Sequence, residues 1–83
     1  MIKAPREKII LGLDPGTNIT GYGIICVAGN KVKLVQYGII RLGKTGEQAL
    51  KLKKIFDKVI DLLKEYHPDE VELEAPFFGK NVQ

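Results

Sequence analysis

Residues 10–25, ILGLDPGTNITGYGII, constrain the fold more than any other stretch of the chain. The run from Lys8 to Leu13 is apolar and β-branched and reads as a buried strand. It ends directly on a carboxylate, Asp14, and Pro15-Gly16 turns the chain at once. Proline presets φ, and glycine tolerates backbone angles that other residues resist, so the pair is a turn signal. A second apolar run, YGIICVA, follows within Gly21–Ala28. The segment therefore predicts two neighbouring strands with an acid fixed at one sheet edge. Gly21 and Gly23 leave the start of the second strand bare, so a large substrate can approach it. Taken alone, Asp-Pro-Gly also fits a capped tight turn with no chemistry attached.

The remaining punctuation extends this into one topology. Gly29-Asn30 is a hairpin signal, and Lys31–Leu42 is a third strand with partial alternation. Three sequential strands with short links predict an antiparallel meander. Thr45 and Gln48 have capping-box spacing, which predicts a helix start. Leu52, Ile55, Phe56, Val59, Leu62, Leu63 and Tyr66 recur at helical spacing, with Lys51, Lys54, Asp57, Lys58, Asp61 and Lys64 opposite. That is one amphipathic helix of about twenty residues with its apolar stripe in the core. His67-Pro68 ends it, with His67 as a structural cap. Val71–Glu74 reads as a fourth strand, broken by Ala75-Pro76. The helix is long enough to be a crossover, so the fourth strand runs parallel to the first and lies beside it. The expected class is α/β.

Composition sets the outer limits. The chain has 83 residues, the size of one small domain or part of a larger one, and residues 1–7 read as a flexible arm. A net charge of +3, from 13 Lys and Arg against 10 Asp and Glu, permits a nucleic-acid partner without demanding one. One cysteine, Cys26, excludes an intramolecular disulfide and suits a reducing cytosol; it reads as a small core residue. The apolar run behind MIKAPREK is too short for a signal peptide, and nothing approaches a membrane span. The expectation is a cytoplasmic protein with no membrane partner.

Parallel neighbours bring Asp14 and Glu74 to the same carboxyl-terminal edge, where open α/β sheets bind ligands. Two carboxylates at close range repel unless a proton or cation intervenes. A hard divalent ion takes such oxygens, and Mg²⁺ typically uses one or two carboxylates plus substrate phosphate oxygens. Mn²⁺ is the expected substitute. The pattern points to metal-dependent phosphoryl chemistry, with Asp14 and Glu74 as catalytic metal ligands. Beyond the fourth strand, Phe77 and Phe78 are placed to stack on unpaired bases, and Lys80 and Asn81 to meet phosphate or base edges. The same two phenylalanines equally suit packing beneath a further helix.

ILGLDPGTNITGYGII resembles the first strand and turn of the RuvC family, the crossover junction endodeoxyribonucleases that resolve Holliday junctions. VELEAPFFGKN resembles that family's fourth strand and the loop beyond it. The resemblance implies an RNase H-like fold and a Mg²⁺-dependent nuclease. It implies a homodimer that makes paired nicks in four-way DNA junctions during recombination and repair, alongside a branch-migration helicase. Residue by residue, Asp14 and Glu74 match the first two metal-binding acids, and Phe77 the aromatic at the opened junction centre. Lys80 matches the basic residue of the loop, and Gly16, Thr17, Phe78 and Asn81 fall among the DNA-binding positions. The family's remaining metal ligands and its dimerising helix have no counterpart before Gln83. The chain therefore reads as the amino-terminal half of such a domain, inactive as a nuclease by itself. Two other readings stay open. One is a phosphate-binding fragment of the actin-like ATPase and sugar-kinase type, whose Asp-x-Gly-Thr turn Asp14–Thr17 loosely fits. The other is a non-catalytic junction-binding module.

Overall fold

The computed structural model describes residues 6–43 and 48–73. Their order is β1 (Lys8–Asp14), β2 (Ile19–Ala28), β3 (Lys31–Arg41), α1 (Gln48–Tyr66) and β4 (Glu70–Leu73). The strands form one sheet in the order β3-β2-β1-β4. β1 and β2 pair antiparallel, as do β2 and β3, while β1 and β4 pair in parallel. This is the expected meander, crossover helix and parallel fourth strand.

Local chemistry explains each boundary. Gly29 adopts a φ of +63° at the first position of the two-residue β2–β3 link. Glycine there matches the twist of the flanking strands, as in type II′ hairpins. β2 begins at Ile19, earlier than the expected Gly21, because Ile19 and Thr20 pair with Arg41 and Ile40 of β3. The β2–β3 register skips Val35, which sits between the partners of Ile24 and Ile25 as a bulge. The expected helix start at Thr45 lies outside the described residues; from Gln48 the helix runs to Tyr66. His67 closes it with φ +47°, its N–H donating to Leu63 O at 3.0 Å. That is a left-handed cap, and Pro68 prevents continuation. No helix among the described residues is long and apolar enough to cross a membrane.

Alternation along β1 divides the sheet into two faces. Ile9, Leu11 and Leu13 are buried with Ile24, Cys26 and Leu62, and Tyr22, Val35, Val59, Leu63 and Tyr66 pack around them. This is the α1 face. The helical contribution to the cluster comes from Val59 onward. Leu52 and Phe56 are each 64% exposed, which corrects the expectation that the whole apolar stripe is core. The opposite face is uncovered among the described residues and exposes Ile19, Val32, Leu34, Tyr37 and Ile39.

A clasp at the start of β4 fixes its register on β1. The Asp69 N–H donates to Ile9 O at 2.7 Å, and the Ile9 N–H donates to Asp69 Oδ2 at 2.8 Å. Lys8 Nζ meets Glu70 Oε2 at 2.6 Å. From there Ile10 faces Glu70, Leu11 faces Val71, Gly12 faces Glu72 and Leu13 faces Leu73.

Candidate active site

Asp14 ends β1 and is exposed. It follows buried Leu13, so strand parity puts it on the face away from α1. Its antiparallel partner is Gly21, and the preceding pair on that face is Gly12 with Gly23. A Cβ on Gly21 would lie 4.0 Å from the Asp14 Cβ, and one on Gly23 would meet nothing within 4 Å. Glycines on adjacent strands thus leave a side-chain-free trough beside the carboxylate. An open hollow of about 480 Å³ lies there, lined by Gly12, Asp14, Gly21, Gly23, Ile10, Ile25 and Glu72 among others.

The turn after Asp14 is closely packed at Gly16 and tied by two hydrogen bonds. Gly16 is needed for space rather than for unusual backbone angles. Its φ lies outside the left-handed region, but a Cβ there would overlap Ile19 O. The Leu42 N–H donates to Asn18 O at 2.8 Å. Lys51 Nζ, from the first turns of α1, donates to Thr17 O at 3.0 Å. Gly16 and Thr17 are exposed. Thr20, also in this segment, is 1% exposed, and its Oγ1 has no hydrogen-bond partner.

Of the residues expected to form the site, Asp14, Gly16 and Thr17 are placed together at one end of β1. Glu74, Phe77, Phe78, Lys80 and Asn81 lie outside the described residues. Glu72, not anticipated from sequence, shares the hollow with Asp14. Its signal was the alternation Glu70, Glu72, Glu74, since every second residue of a strand shares one face. No group of three or more His, Cys, Asp or Glu converges among the described residues. Glu70 belongs to the clasp: the hydrogen bond and charge of Lys8 hold its carboxyl below the usual glutamate range. The same contact raises the Lys8 ammonium above its ordinary value.

Chemically, the described end of β1 offers carboxylate oxygens beside bare backbone, with room for a bulky group. An antiparallel meander, a crossover helix and a parallel fourth strand, with an acid closing the first strand, define the RNase H-like class of α/β domains. The sequence matches the family model described as Crossover junction endodeoxyribonuclease RuvC over residues 10–83. A protein of that name from Cytophaga hutchinsonii is 54% identical over 77 residues, 93% of this chain and 38% of its own length. One from Bacteroides fragilis is 52% identical over 83 residues, 100% of this chain and 44% of its own length. The structure of Thermus thermophilus RuvC in complex with Holliday junction substrate superposes with a TM-score of 0.76 at 24% identity. That match covers 89% of this chain and 46% of the other, and it shows the shared fold. The chain belongs to the RuvC family. It spans less than half the length of these curated relatives.

Proposed function

We propose that the protein carrying this chain is a metal-dependent endonuclease that nicks four-way DNA junctions in recombination and repair. The observation that carries this reading is Asp14, exposed at the carboxyl end of β1 beside the glycine trough. The parallel register advances one residue at a time to Leu13 and Leu73, the residues immediately before Asp14 and Glu74. We assign these two acids, each next in sequence after that last pair, as metal ligands.

The donor set fits a hard divalent cation. Both assigned ligands are carboxylates, the oxygen type that Mg²⁺ and Mn²⁺ prefer. When bound, such ions supply Lewis-acid stabilisation of phosphate oxygens and an activated water. The chain's own part is positional. Asp14 presents its oxygens from the end of a paired strand, and Gly12, Gly21 and Gly23 leave space for a sugar–phosphate backbone. Gly16 and Thr17, exposed in the turn that follows Asp14, add DNA contacts, and Phe77, Phe78, Lys80 and Asn81 complete them. A homodimer would deliver paired nicks in opposing strands, in the cytoplasm, with a branch-migration helicase as partner.

The test is a chimera in which residues 1–83 replace the matching segment of the Bacteroides fragilis relative. Nicking of a labelled four-way junction is measured in Mg²⁺, with linear duplex as competitor. Asp14→Asn and Glu74→Gln are each expected to lower the rate by about a hundredfold or more, as loss of an ion's anchoring charge removes its electrostatic contribution. Unchanged nicking by either variant removes that residue from the metal site. A chimera that binds the junction without cutting it supports the non-catalytic module. Tight ATP binding with no affinity for branched DNA supports the ATPase type.

A further inference from the structure

We infer that Lys51 is a positioning residue for Asp14, acting through the turn that joins β1 to β2; the inference rests on the reading of Asp14 as a metal ligand. The link between the two strands spans residues 15–18 and lies beyond the β1–β2 ladder, which ends at Asp14 and Gly21. Outside a ladder, backbone carbonyls take their donors from other groups, and those partners bias the conformation of the segment. Asn18 O takes the Leu42 N–H, which anchors one end of the turn to the strand beyond it. Thr17 O takes the Lys51 ammonium at 3.0 Å. That bond ties the turn to α1, across 34 residues of sequence. The Lys51 stem lines a small hollow of about 190 Å³ with Gly16, Thr17, Leu42, Leu52 and Ile55, so the side chain is guided toward the turn rather than free in solvent. Leu52 and Phe56 are exposed and the buried cluster takes its helical residues from Val59 onward, so this polar tie adds to the hold of the first half of α1 on the turn.

The coupling reaches Asp14 because only Pro15 and Gly16 separate it from Thr17. A Cβ at Gly16 would overlap Ile19 O, so the turn runs close to the β2 backbone, and a shift of the Thr17 carbonyl is passed through Gly16 and Pro15 to Asp14. Outer contacts that orient a metal ligand typically change metal affinity about 10–100-fold when removed. Lys51 acts at one remove and near the surface, so the expected loss is smaller, about three- to tenfold. The sign is diagnostic. Deleting a positive charge near a cation site would by itself strengthen cation binding, whereas loss of positioning weakens it.

The experiment measures Mn²⁺ binding to the full-length chimera without DNA, from the free-ion EPR signal. Lys51→Met keeps the stem and removes the donor; Lys51→Arg keeps a donor. Asp14→Asn is the control. The expected result is three- to tenfold weaker binding for Lys51→Met and near-complete recovery for Lys51→Arg. Hydrogen exchange at the amides of residues 16–20 supplies a second readout. It should speed up in Lys51→Met, return in Lys51→Arg, and leave the β1 core amides unchanged. Unchanged or tighter Mn²⁺ binding by Lys51→Met, with Asp14→Asn still defective, overturns the role of Lys51 alone. Unchanged binding by Asp14→Asn overturns the metal-ligand reading, and the role of Lys51 falls with it.

Discussion

Gly16→Ala is the sharpest structural probe of the turn beside Asp14, because two effects of known sign compete there. The φ of Gly16 is one that alanine can adopt, so the substitution narrows the unfolded ensemble and favours folding by about 0.4–1 kcal/mol. Against this, the new Cβ overlaps Ile19 O, and the Ile19 carbonyl carbon lies only 3.6 Å away. The obstacle is backbone, held in a strand that pairs with Arg41, and cannot rotate aside as a side chain can. Forcing an extra methyl into such a site costs about 1–3 kcal/mol. The steric effect wins, leaving a net loss of about 1–2 kcal/mol. Gly23→Ala is the matched control, since its Cβ meets nothing within 4 Å. It should be neutral or stabilising by up to about 1 kcal/mol. Urea titration of the full-length chimera measures both. Equal stability of the two variants, or a Gly16→Ala protein as stable as the parent, would refute the reasoning. Gly23→Ala should nevertheless lose junction nicking if the bare trough admits DNA.

Two further outcomes follow from the core and the clasp. Leu11 is 0% exposed at the centre of the buried cluster, so Leu11→Ala should cost about 2–5 kcal/mol in the same titration, and a cost under 1 kcal/mol would contradict that placement. The Glu70 carboxyl should titrate by NMR below its ordinary 4.5, and Lys8→Met should raise it, because the hydrogen bond and charge of Lys8 are the largest causes of the depression. Because the folded value is depressed, the stabilisation from Glu70 is present above its unfolded value and fades as pH falls through the folded one. For Lys8, raised above its ordinary 10.5, the stabilisation is present below that value and fades as pH rises through the folded one. A Glu70 midpoint at or above the ordinary value would mean that the pair does not form.

The fold was legible where local signals and topology rules agreed. Gly29-Asn30 required a hairpin, and His67-Pro68 required a helix stop. A helix between β3 and β4 was long enough for a parallel return. The bulge at Val35 was not legible, because it depends on the pairing of two strands and leaves no mark in either alone. Nor was the exposure of Leu52 and Phe56. Helical periodicity identifies an apolar stripe, but not how far the sheet beneath extends. Asp14 stood out through topology, because Asp-Pro-Gly alone fits a capped turn and only the expected parallel fourth strand brought a second acid to the same sheet edge. Gly16 was anticipated for the wrong reason: its value is the space denied by Ile19 O, a contact invisible without coordinates. Glu72 and Lys51 escaped notice because their placement needs the β1–β4 register and the seat of α1, both tertiary.

That register deserves a causal place in the chemistry. Leu13 is buried and Asp14 exposed, one residue apart on opposite faces. A slip of β4 by one residue would exchange its faces, bringing Val71 and Leu73 to the trough and Glu72 toward α1. Val71 and Leu73 are themselves 48% and 68% exposed, so burial of β4 side chains does little to forbid the slip. What forbids it is the clasp: the paired Ile9–Asp69 hydrogen bonds and the Lys8–Glu70 contact, all at the end of β1 remote from Asp14. An exposed ion pair adds little stability of its own. Its consequence lies in which residues face the trough. Disabling the clasp should therefore affect the site more than the melting temperature, with Asp69 the more consequential member because its carboxylate and N–H bind the same residue of β1.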